Sequence, residues 1–289
     1  MHGREWLSPA VGLFLAHQVT NICDQPFWKW SSFAHICLVE WNMAILTNPD
    51  GYVYSWETDR FWRKTRSGPR CNGKSCDCYG VDGNRNFHVD FGRHGYCNHA
   101  CCNNYAGEAA DSEVEVAALV HHMRSTLLQN TPVLAYLSIH AFAQLWLWPF
   151  AHRPQRAKPP PHWSYSTYEA MSEAMLGSMR SVSKATYRAG QAYHMLYPAS
   201  GTSMDWAAVN LSIPWSFSLE LRPDSTAKWG RYGFCLPKIE EAGKEVMAAV
   251  KPLIEAGLAH ANLTDNASAF FISLYLLHFQ LASFLLWFP

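Results

Sequence analysis

The stretch "VLAYLSIH", residues 133–140, decides the fold that we predict for this chain. Its β-branched and aromatic side chains predict a buried strand that ends on His140. Residues 111–128, directly before it, start with acidic side chains and carry apolar residues at helical spacing, which predicts an amphipathic helix. Because a helix of this length leads straight into the strand, we expect helices packed in layers on a sheet.

The rest of the chain continues this alternation of helices and strands, which is typical of an α/β fold. Asn-Pro-Asp-Gly at residues 48–51 is dense in turn-forming residues and predicts a turn. Gly257 is expected to end the last helix. The further predicted elements are helices over residues 5–21, 164–185 and 236–257, and strands over residues 43–46 and 215–222.

The composition fits one globular domain without a polyanionic partner. The 289 residues are 49% apolar, which is enough to bury one large core. Lys and Arg together number 23, and so do Asp and Glu, so the formal net charge is zero. A neutral chain gives no reason to expect electrostatic attraction to nucleic acid, and we predict no nucleic-acid partner.

Cysteines are unusually frequent and clustered. Six of the nine lie within residues 71–102, which indicates either a set of disulfides or a zinc cluster. Their spacing lacks paired C-x2-C knuckles, so disulfides are favoured. Disulfides, together with N-glycosylation patterns such as the one at Asn210, predict an extracellular or cell-surface protein made through the secretory pathway, although no signal peptide precedes Met1.

The chain ends in a long apolar segment. Residues 269–289 carry no formal charge over 21 residues, which is long enough to span a bilayer or to serve as a lipid-anchor signal. A buried core helix is the alternative, although the run is apolar on every face. We therefore predict membrane attachment through this tail, with residues 259–268 as a polar spacer before it.

Two histidines and a glutamate have the character of a catalytic zinc site. His2 and Glu5 form an H-x-x-E pair, and His140 lies at the end of a predicted strand. Zinc in hydrolytic enzymes is commonly held by three such ligands, which leaves a fourth position for water. The pair alone occurs often by chance, so a zinc site needs further matching residues.

Such residues occur in eight motifs spread over nearly the whole chain. In order and approximate spacing, these motifs resemble those of the zinc metallocarboxypeptidases of the carboxypeptidase A type. The resemblance is to the digestive-type branch, and the apolar tail is similar to that of the lipid-anchored carboxypeptidase O. The motifs are "HGREW", "NPDGY", "DRFWRKTRS", "GVDGNRNF", "SEVEV", "SIHAFAQLWLWPF", "YPASGTSMDW" and "FSLELR".

The resemblance implies a fold, a domain and a cofactor. The fold would be a mixed β-sheet flanked by helices, within a catalytic domain over residues 1–258. One zinc ion per chain would be bound by His2, Glu5 and His140, and Asp82 would orient His2 from behind the metal. Glu220 would be the general base of a peptidase that acts on peptide or protein C-termini, and we expect a monomer.

The same motifs imply the substrate-binding residues. Arg63 would polarise the scissile carbonyl. Asn84 and Arg85 would bind the terminal carboxylate, whose two oxygens suit the fork of a guanidinium. Tyr197 would close over the bound substrate, and Arg4 would contact the peptide further from its end.

The resemblance places Met204 at the base of the side-chain pocket. An Asp there would favour basic C-terminal residues and an Arg acidic ones, whereas methionine offers a polarisable apolar surface. We therefore predict cleavage of apolar or aromatic C-terminal residues. The other residues matched to the pocket carry no charge either: Leu147, Ala151, Leu196, Ala199 and Ser218.

This chain departs from the family pattern at its N-terminus and in its number of cysteines. Family domains carry a helix and several strands ahead of the first histidine, so we predict a chain truncated at its N-terminus that leaves His2 on a mobile end. Cys78 and Cys101 match a family disulfide. The alternatives to a zinc exopeptidase are a catalytically inactive truncated homologue and a cysteine-rich, membrane-anchored binding module. The extra cysteines, which could form two more bridges, are Cys71, Cys76, Cys97 and Cys102.

Overall fold

Six strands form the central sheet of the chain. The computed structural model describes residues 1–26, 34–72, 75–127, 133–154, 164–226, 238–260 and 270–276. A separate antiparallel hairpin consists of β2 (Arg70–Asn72) and β3 (Ser75–Cys78). The strands of the central sheet are β1 (Val39–Met43), β4 (Val133–Ala141), β5 (Leu145–Trp148), β6 (Arg188–Gln191), β7 (Trp215–Leu221) and β8 (Phe270–Leu276).

The central sheet is mixed, as predicted. Its strand order is β1-β8-β4-β7-β5-β6, and β7 pairs antiparallel with β5 while the other neighbours are parallel. The parallel pair β4 and β7 lies at the centre, with His140 directly opposite Glu220. Because both strands point the same way, their carboxyl ends bring these two side chains to one edge of the sheet.

Helices cover both faces of the sheet. They are α1 (Leu7–Cys23), α2 (Pro49–Glu57), α3 (Val114–His122), α4 (Tyr165–Val182), α5 (Ala192–Met195), α6 (Ser203–Asn210) and α7 (Ile239–His260). One core contains residues of α1, α4 and α7 together with Leu137 of β4, and a second core contains residues of α3 and α6 together with Tyr136. Neighbouring residues of a strand point to opposite faces, so the two cores lie on opposite sides of β4.

Two local predictions from the sequence are wrong. The strand expected over residues 43–46 is β1, which ends at Met43, and the Asn-Pro-Asp-Gly segment begins α2 instead of forming an isolated turn. The side chain of Asn48 caps this helix by accepting a hydrogen bond from Gly51 N at 2.9 Å, and Pro49 occupies the first turn. An asparagine side chain can accept a backbone N–H, and proline has a fixed φ angle. Both properties suit a turn and also suit the first residues of a helix.

Gly257 does not end the last helix. α7 continues through it to His260. A Cβ atom at Gly257 would lie 3.2 Å from the side chain of Leu134 on β4. Glycine at this position thus allows α7 to pack closely on the sheet. The sequence pattern does not reveal this requirement.

The apolar tail contributes a strand to the sheet. Phe270–Leu276 forms β8, which lies between β1 and β4, while residues 261–269 and 277–289 lie outside the described residues. In the described ranges, no helix is long and apolar enough to cross a membrane. The predicted membrane attachment through residues 269–289 stays a prediction.

Disulfides pair all six cysteines whose side chains the structure describes. The predicted Cys78–Cys101 bridge is confirmed. Cys97 and Cys102 form a second bridge within the cluster. A bridge between Cys23 and Cys37, which joins the end of α1 to the segment before β1, was not predicted. The side chains of the remaining cluster cysteines, Cys71 and Cys76, lie outside the described part of the structure.

Candidate active site

His2, Glu5 and His140 come together at the carboxyl end of β4. The carboxylate of Glu5 lies between the two rings, with Oε1 2.6 Å from His2 Nδ1 and Oε2 2.9 Å from His140 Nδ1. Potential ligand atoms of the three side chains lie within 4.8 Å of one another, and all three residues are buried. Two imidazole nitrogens and one carboxylate, all able to bind a metal ion, therefore converge on a single point.

The segment that carries His2 is held in place on both sides. Gly3 N donates to Arg63 O at 3.1 Å, and Ser55 Oγ donates to Gly3 O at 3.0 Å. A Cβ at Gly3 would lie 2.3 Å from the carbonyl oxygen of Gly51, so only glycine permits this close approach to α2. The expectation that His2 hangs on an unanchored end is therefore wrong.

Asp82 lies behind His2 and fixes its ring. Its Oδ1 is 3.0 Å from His2 Nε2, and its Oδ2 accepts a hydrogen bond from Arg63 Nε at 2.8 Å. Burial raises the pKa of the Asp82 carboxyl, but Arg63 and His2 outweigh burial and hold the pKa well below its usual range. An ionised Asp82 accepts the Nε2 proton of His2, which leaves the Nδ1 lone pair facing Glu5.

This donor set fits zinc. Nδ1 of His2 and Nδ1 of His140 both face the same carboxylate, and a carboxylate behind His2 selects the tautomer that a metal ligand needs. Burial raises the pKa of Glu5, but the two histidines outweigh burial and hold the pKa well below its usual range, so Glu5 is available as an anion. Two neutral imidazoles and one carboxylate are the ligands expected of a hydrolytic zinc centre.

The far side of His140 has a different environment. Its Nε2 is 2.9 Å from Ser138 Oγ and 3.3 Å from Asn84 Nδ2. Ser138 was not chosen from the sequence. The signal was available, because residues two apart in a strand share one face and Ser138 precedes His140 by two positions.

Glu220 lies partly buried on the neighbouring strand, β7. It stands opposite His140 in the β4–β7 register and lines the cavity that opens beside the three-residue cluster. Burial raises the pKa of Glu220, and the carboxylate of Glu5 adds to this effect, so the pKa reaches about 8 against the opposing influence of nearby arginines. A carboxylate with a raised pKa that faces a cavity has the properties of a group that exchanges protons.

Cationic and polar side chains line one part of the same cavity. Arg85 is 4% exposed, and its guanidinium donates to Asn84 O at 2.7 Å, to Gly95 O at 3.1 Å and to the Tyr197 hydroxyl at 2.9 Å. Arg63 also lines the cavity beside His2. Asn84 is oriented by Ser203 N, which donates to its Oδ1 at 2.9 Å. The cavity can therefore receive an anion at a fixed position.

Apolar side chains line the other part of the cavity. Met204 is 2% exposed and lies on α6, and the other five residues matched to the pocket surround the same space. The structure thus brings together the whole predicted set: Leu147, Ala151, Leu196, Ala199, Met204 and Ser218.

Asp205 supports this pocket from below and was missed by sequence reasoning. Its buried carboxylate accepts hydrogen bonds from Ala151 N at 2.8 Å and from His152 N at 3.1 Å, and lies 2.6 Å from His152 Nδ1. Ala151 O in turn accepts a hydrogen bond from Ala199 N at 2.9 Å. The Asp205 carboxylate therefore holds Ala151 directly and Ala199 through Ala151. No local sequence pattern predicts these long-range contacts.

Arg4 lies beside the cavity and does not line it. Its Nη1 donates to Phe61 O at 3.4 Å, and its carbonyl oxygen accepts a hydrogen bond from Arg60 Nη1 at 2.9 Å. Arg4 is near enough to Glu220 to lower the pKa of that carboxyl. Seven of the eleven predicted site residues line the cavity. Glu5, His140 and Asp82 contact His2 or one another behind that lining, whereas Arg4 lies outside this cluster.

Comparisons with known proteins agree with this geometry. The family model for peptidase M14, described as zinc carboxypeptidase, matches residues 1–249. "Zinc carboxypeptidase A 1" of Anopheles gambiae is 34% identical over 266 residues, which cover 90% of this chain and 55% of the relative. "Carboxypeptidase A6" of Mus musculus is 36% identical over 255 residues, covering 87% and 53%. The chain spans about half the length of these two relatives.

A solved structure has the same fold. Bovine thrombin-activatable fibrinolysis inhibitor, in complex with tick carboxypeptidase inhibitor, superposes with a TM-score of 0.72 at 28% sequence identity. The similarity covers 90% of this chain and 80% of that one.

Proposed function

The chain belongs to the zinc carboxypeptidase family, peptidase M14, and from that membership we propose that it is a zinc-dependent exopeptidase that removes apolar or aromatic residues from peptide C-termini. The observation that carries this proposal is one cavity that joins the His2, Glu5 and His140 cluster to Arg85 and an apolar pocket. A metal position, an anion position and a side-chain pocket are the three features that recognition of a chain end requires.

His2, Glu5 and His140 would hold one zinc ion. A bound zinc ion supplies a Lewis acid that lowers the pKa of water and polarises a carbonyl group. Asp82 keeps the proton of His2 on Nε2, so that Nδ1 remains a ligand. Among the described residues, one group of side chains has this ligand geometry, which supports one ion per chain.

Arg85 would bind the terminal carboxylate of the substrate. Its guanidinium is buried and held by two backbone carbonyls, so little conformational entropy is lost when an anion binds. Asn84 borders the same position, and Tyr197, which is 50% exposed, can move over the substrate. Arg63 would face the scissile carbonyl, while Arg4 would contact the peptide further from its end.

Glu220 would act as the general base. One of its carboxylate oxygens would take a proton from the attacking water and hand it to the leaving nitrogen. The raised pKa of Glu220 supports this role, because a carboxylate of higher pKa is a stronger base toward water. Arg63 provides positive charge where the carbonyl oxygen becomes negative.

The apolar pocket supports the proposed specificity. Met204 presents a polarisable surface, and none of the five residues around it carries a charge. A basic or acidic C-terminal side chain would lose its hydration there without gaining a partner. An aromatic or aliphatic side chain would gain free energy from burial against the same residues.

The setting of the proposed enzyme follows from its disulfides and from the extent of the family match. Bridges at Cys23–Cys37, Cys78–Cys101 and Cys97–Cys102 support a protein of the secretory pathway. A match over residues 1–249 supports the proposed catalytic domain over residues 1–258. Its partners would be peptide or protein C-termini, and we propose that it acts as a monomer.

The proposal is tested by zinc content and by hydrolysis of blocked dipeptides that end in Phe, Lys or Glu. We expect one zinc ion per chain, hydrolysis that stops when a chelator removes zinc, and faster cleavage of the Phe substrate. A preference for Lys or Glu would contradict the proposed specificity. A folded protein without zinc or hydrolysis would support the inactive homologue or the binding module instead.

A further inference from the structure

We propose that Ser138 is a positioning residue for the second histidine ligand, because its hydroxyl accepts the Nε2 proton of His140. This inference rests on the proposed zinc site and concerns how that site is built. The two histidines have different partners on their outer nitrogens: His2 faces the Asp82 carboxylate at 3.0 Å, whereas His140 faces the Ser138 hydroxyl at 2.9 Å. The second ligand is therefore oriented by a neutral group.

The tautomer of His140 follows from the direction of its ring. Nδ1 faces Glu5 Oε2 at 2.9 Å, on the side where the ligand atoms converge. A neutral imidazole that binds a metal through Nδ1 carries its proton on Nε2. His140 is 1% exposed, so the Nε2 proton needs an acceptor within the protein.

Two side chains lie near Nε2, and one of them is excluded as an acceptor. The nitrogen of the Asn84 amide lies 3.3 Å away, but the orientation of this amide is fixed, because its Oδ1 accepts a hydrogen bond from Ser203 N. Asn84 therefore presents N–H groups, which donate, to His140. The Ser138 oxygen, with two lone pairs, is the acceptor that remains.

A buried hydroxyl network holds Ser138 in this role. Ser203 Oγ donates to Ser138 Oγ at 3.2 Å. Tyr136, Ser138 and His140 alternate along β4 and so share one face. Ser138 is 8% exposed and Ser203 is fully buried, so solvent does not readily replace the serine oxygen.

The test compares zinc affinity in Ser138→Ala with that in a matched buried serine variant. Ser172 of α4 is a suitable control, because its buried hydroxyl has no hydrogen-bond partner among the described residues. We expect the zinc dissociation constant, measured by competition with a chelator, to rise about tenfold in Ser138→Ala. It should stay within about twofold of wild type in Ser172→Ala. Equal affinities for wild type and Ser138→Ala would overturn the proposal, and so would equal weakening by both variants.

A second measurement needs no variant. Nitrogen NMR of the zinc-loaded wild-type protein, with labelled histidine, should show the His140 proton on Nε2 and slow exchange of that proton with solvent. A proton on Nδ1, or fast exchange from Nε2, would refute the assignment even if Ser138→Ala fails to fold. Failure of the proposed function is distinct, because wild-type protein would then bind no zinc at all.

Discussion

Arg85 donates a hydrogen bond across the cavity to Tyr197, with Nη2 2.9 Å from the phenol oxygen. The guanidinium also lies 5.7 Å from the centre of the tyrosine ring. One partner is buried and fixed by backbone carbonyls, while the other is half exposed. A rigid cation next to a movable phenol is the arrangement that binding and enclosure of a carboxylate would require.

Replacing Arg85 should therefore remove recognition of the chain end. We expect Arg85→Ala to lower kcat/KM for a blocked dipeptide by about 100-fold, because the lost hydrogen bonds involve charged groups. The variant should also lose the preference of wild type for a free carboxylate over a C-terminal amide. Arg93→Ala is the matched control, since this arginine is exposed and pairs with Asp90 near the surface. A variant that still rejects the amide would contradict the role given to Arg85.

Glu220→Gln should abolish turnover without releasing the metal. The amide keeps the shape of the side chain but cannot accept and return a proton, so we expect kcat to fall by about 1,000-fold. Zinc content should remain that of wild type, because Glu220 is not one of the three converging ligands. Loss of zinc in this variant would show that Glu220 supports the metal site itself.

Met204→Asp should change the preferred C-terminal residue. The substitution places a carboxylate at the base of a pocket that is otherwise uncharged, so the Phe substrate should be cleaved at least about tenfold more slowly. A dipeptide ending in Lys should become the better substrate, since its ammonium group can pair with the new carboxylate. Comparison of kcat/KM for the two dipeptides measures this change. If Lys gains nothing relative to Phe, Met204 does not lie at the base of the specificity pocket.

Asp205→Ala should destabilise the protein and loosen its pocket. Removal of the carboxylate leaves Ala151 N and His152 N buried without their acceptor, and we expect the free energy of unfolding to fall by about 2–4 kcal/mol in urea titration. Discrimination between Phe and Ala at the C-terminus should decrease as well. Glu240→Ala, which removes an exposed partner of Lys244, should change stability by less than about 0.5 kcal/mol. A loss that is equally small in both variants would argue against an anchoring role for Asp205.

The sequence predicted those parts of the molecule that depend on local pattern. Strands β4 and β7, and the helices α1 and α4, were predicted from local residue patterns and agree with the structure within a few residues. The placement of His140 opposite Glu220 follows from the parallel pairing of two such strands. The three-ligand set was likewise predicted from motifs and is brought together in space.

Other features depend on contacts between distant residues and escaped prediction. Gly257 reads as a helix end because its packing against Leu134 is invisible in the sequence. Asp205 reaches Ala151 across 54 positions, and Ser203 reaches Ser138 across 65. Phe270–Leu276 of the apolar tail forms β8 between β1 and β4, a pairing that no local pattern predicts.

The position of Glu5 between His2 and His140 bears on how preparations of the protein can be judged. Glu5 and His140 are 135 residues apart, so an unfolded chain cannot offer their side chains to the same ion at once. The fraction of chains that bind zinc would therefore equal the fraction in which the first residues have packed against β4. The ratio of zinc to protein then becomes a direct assay of correct refolding, independent of any substrate.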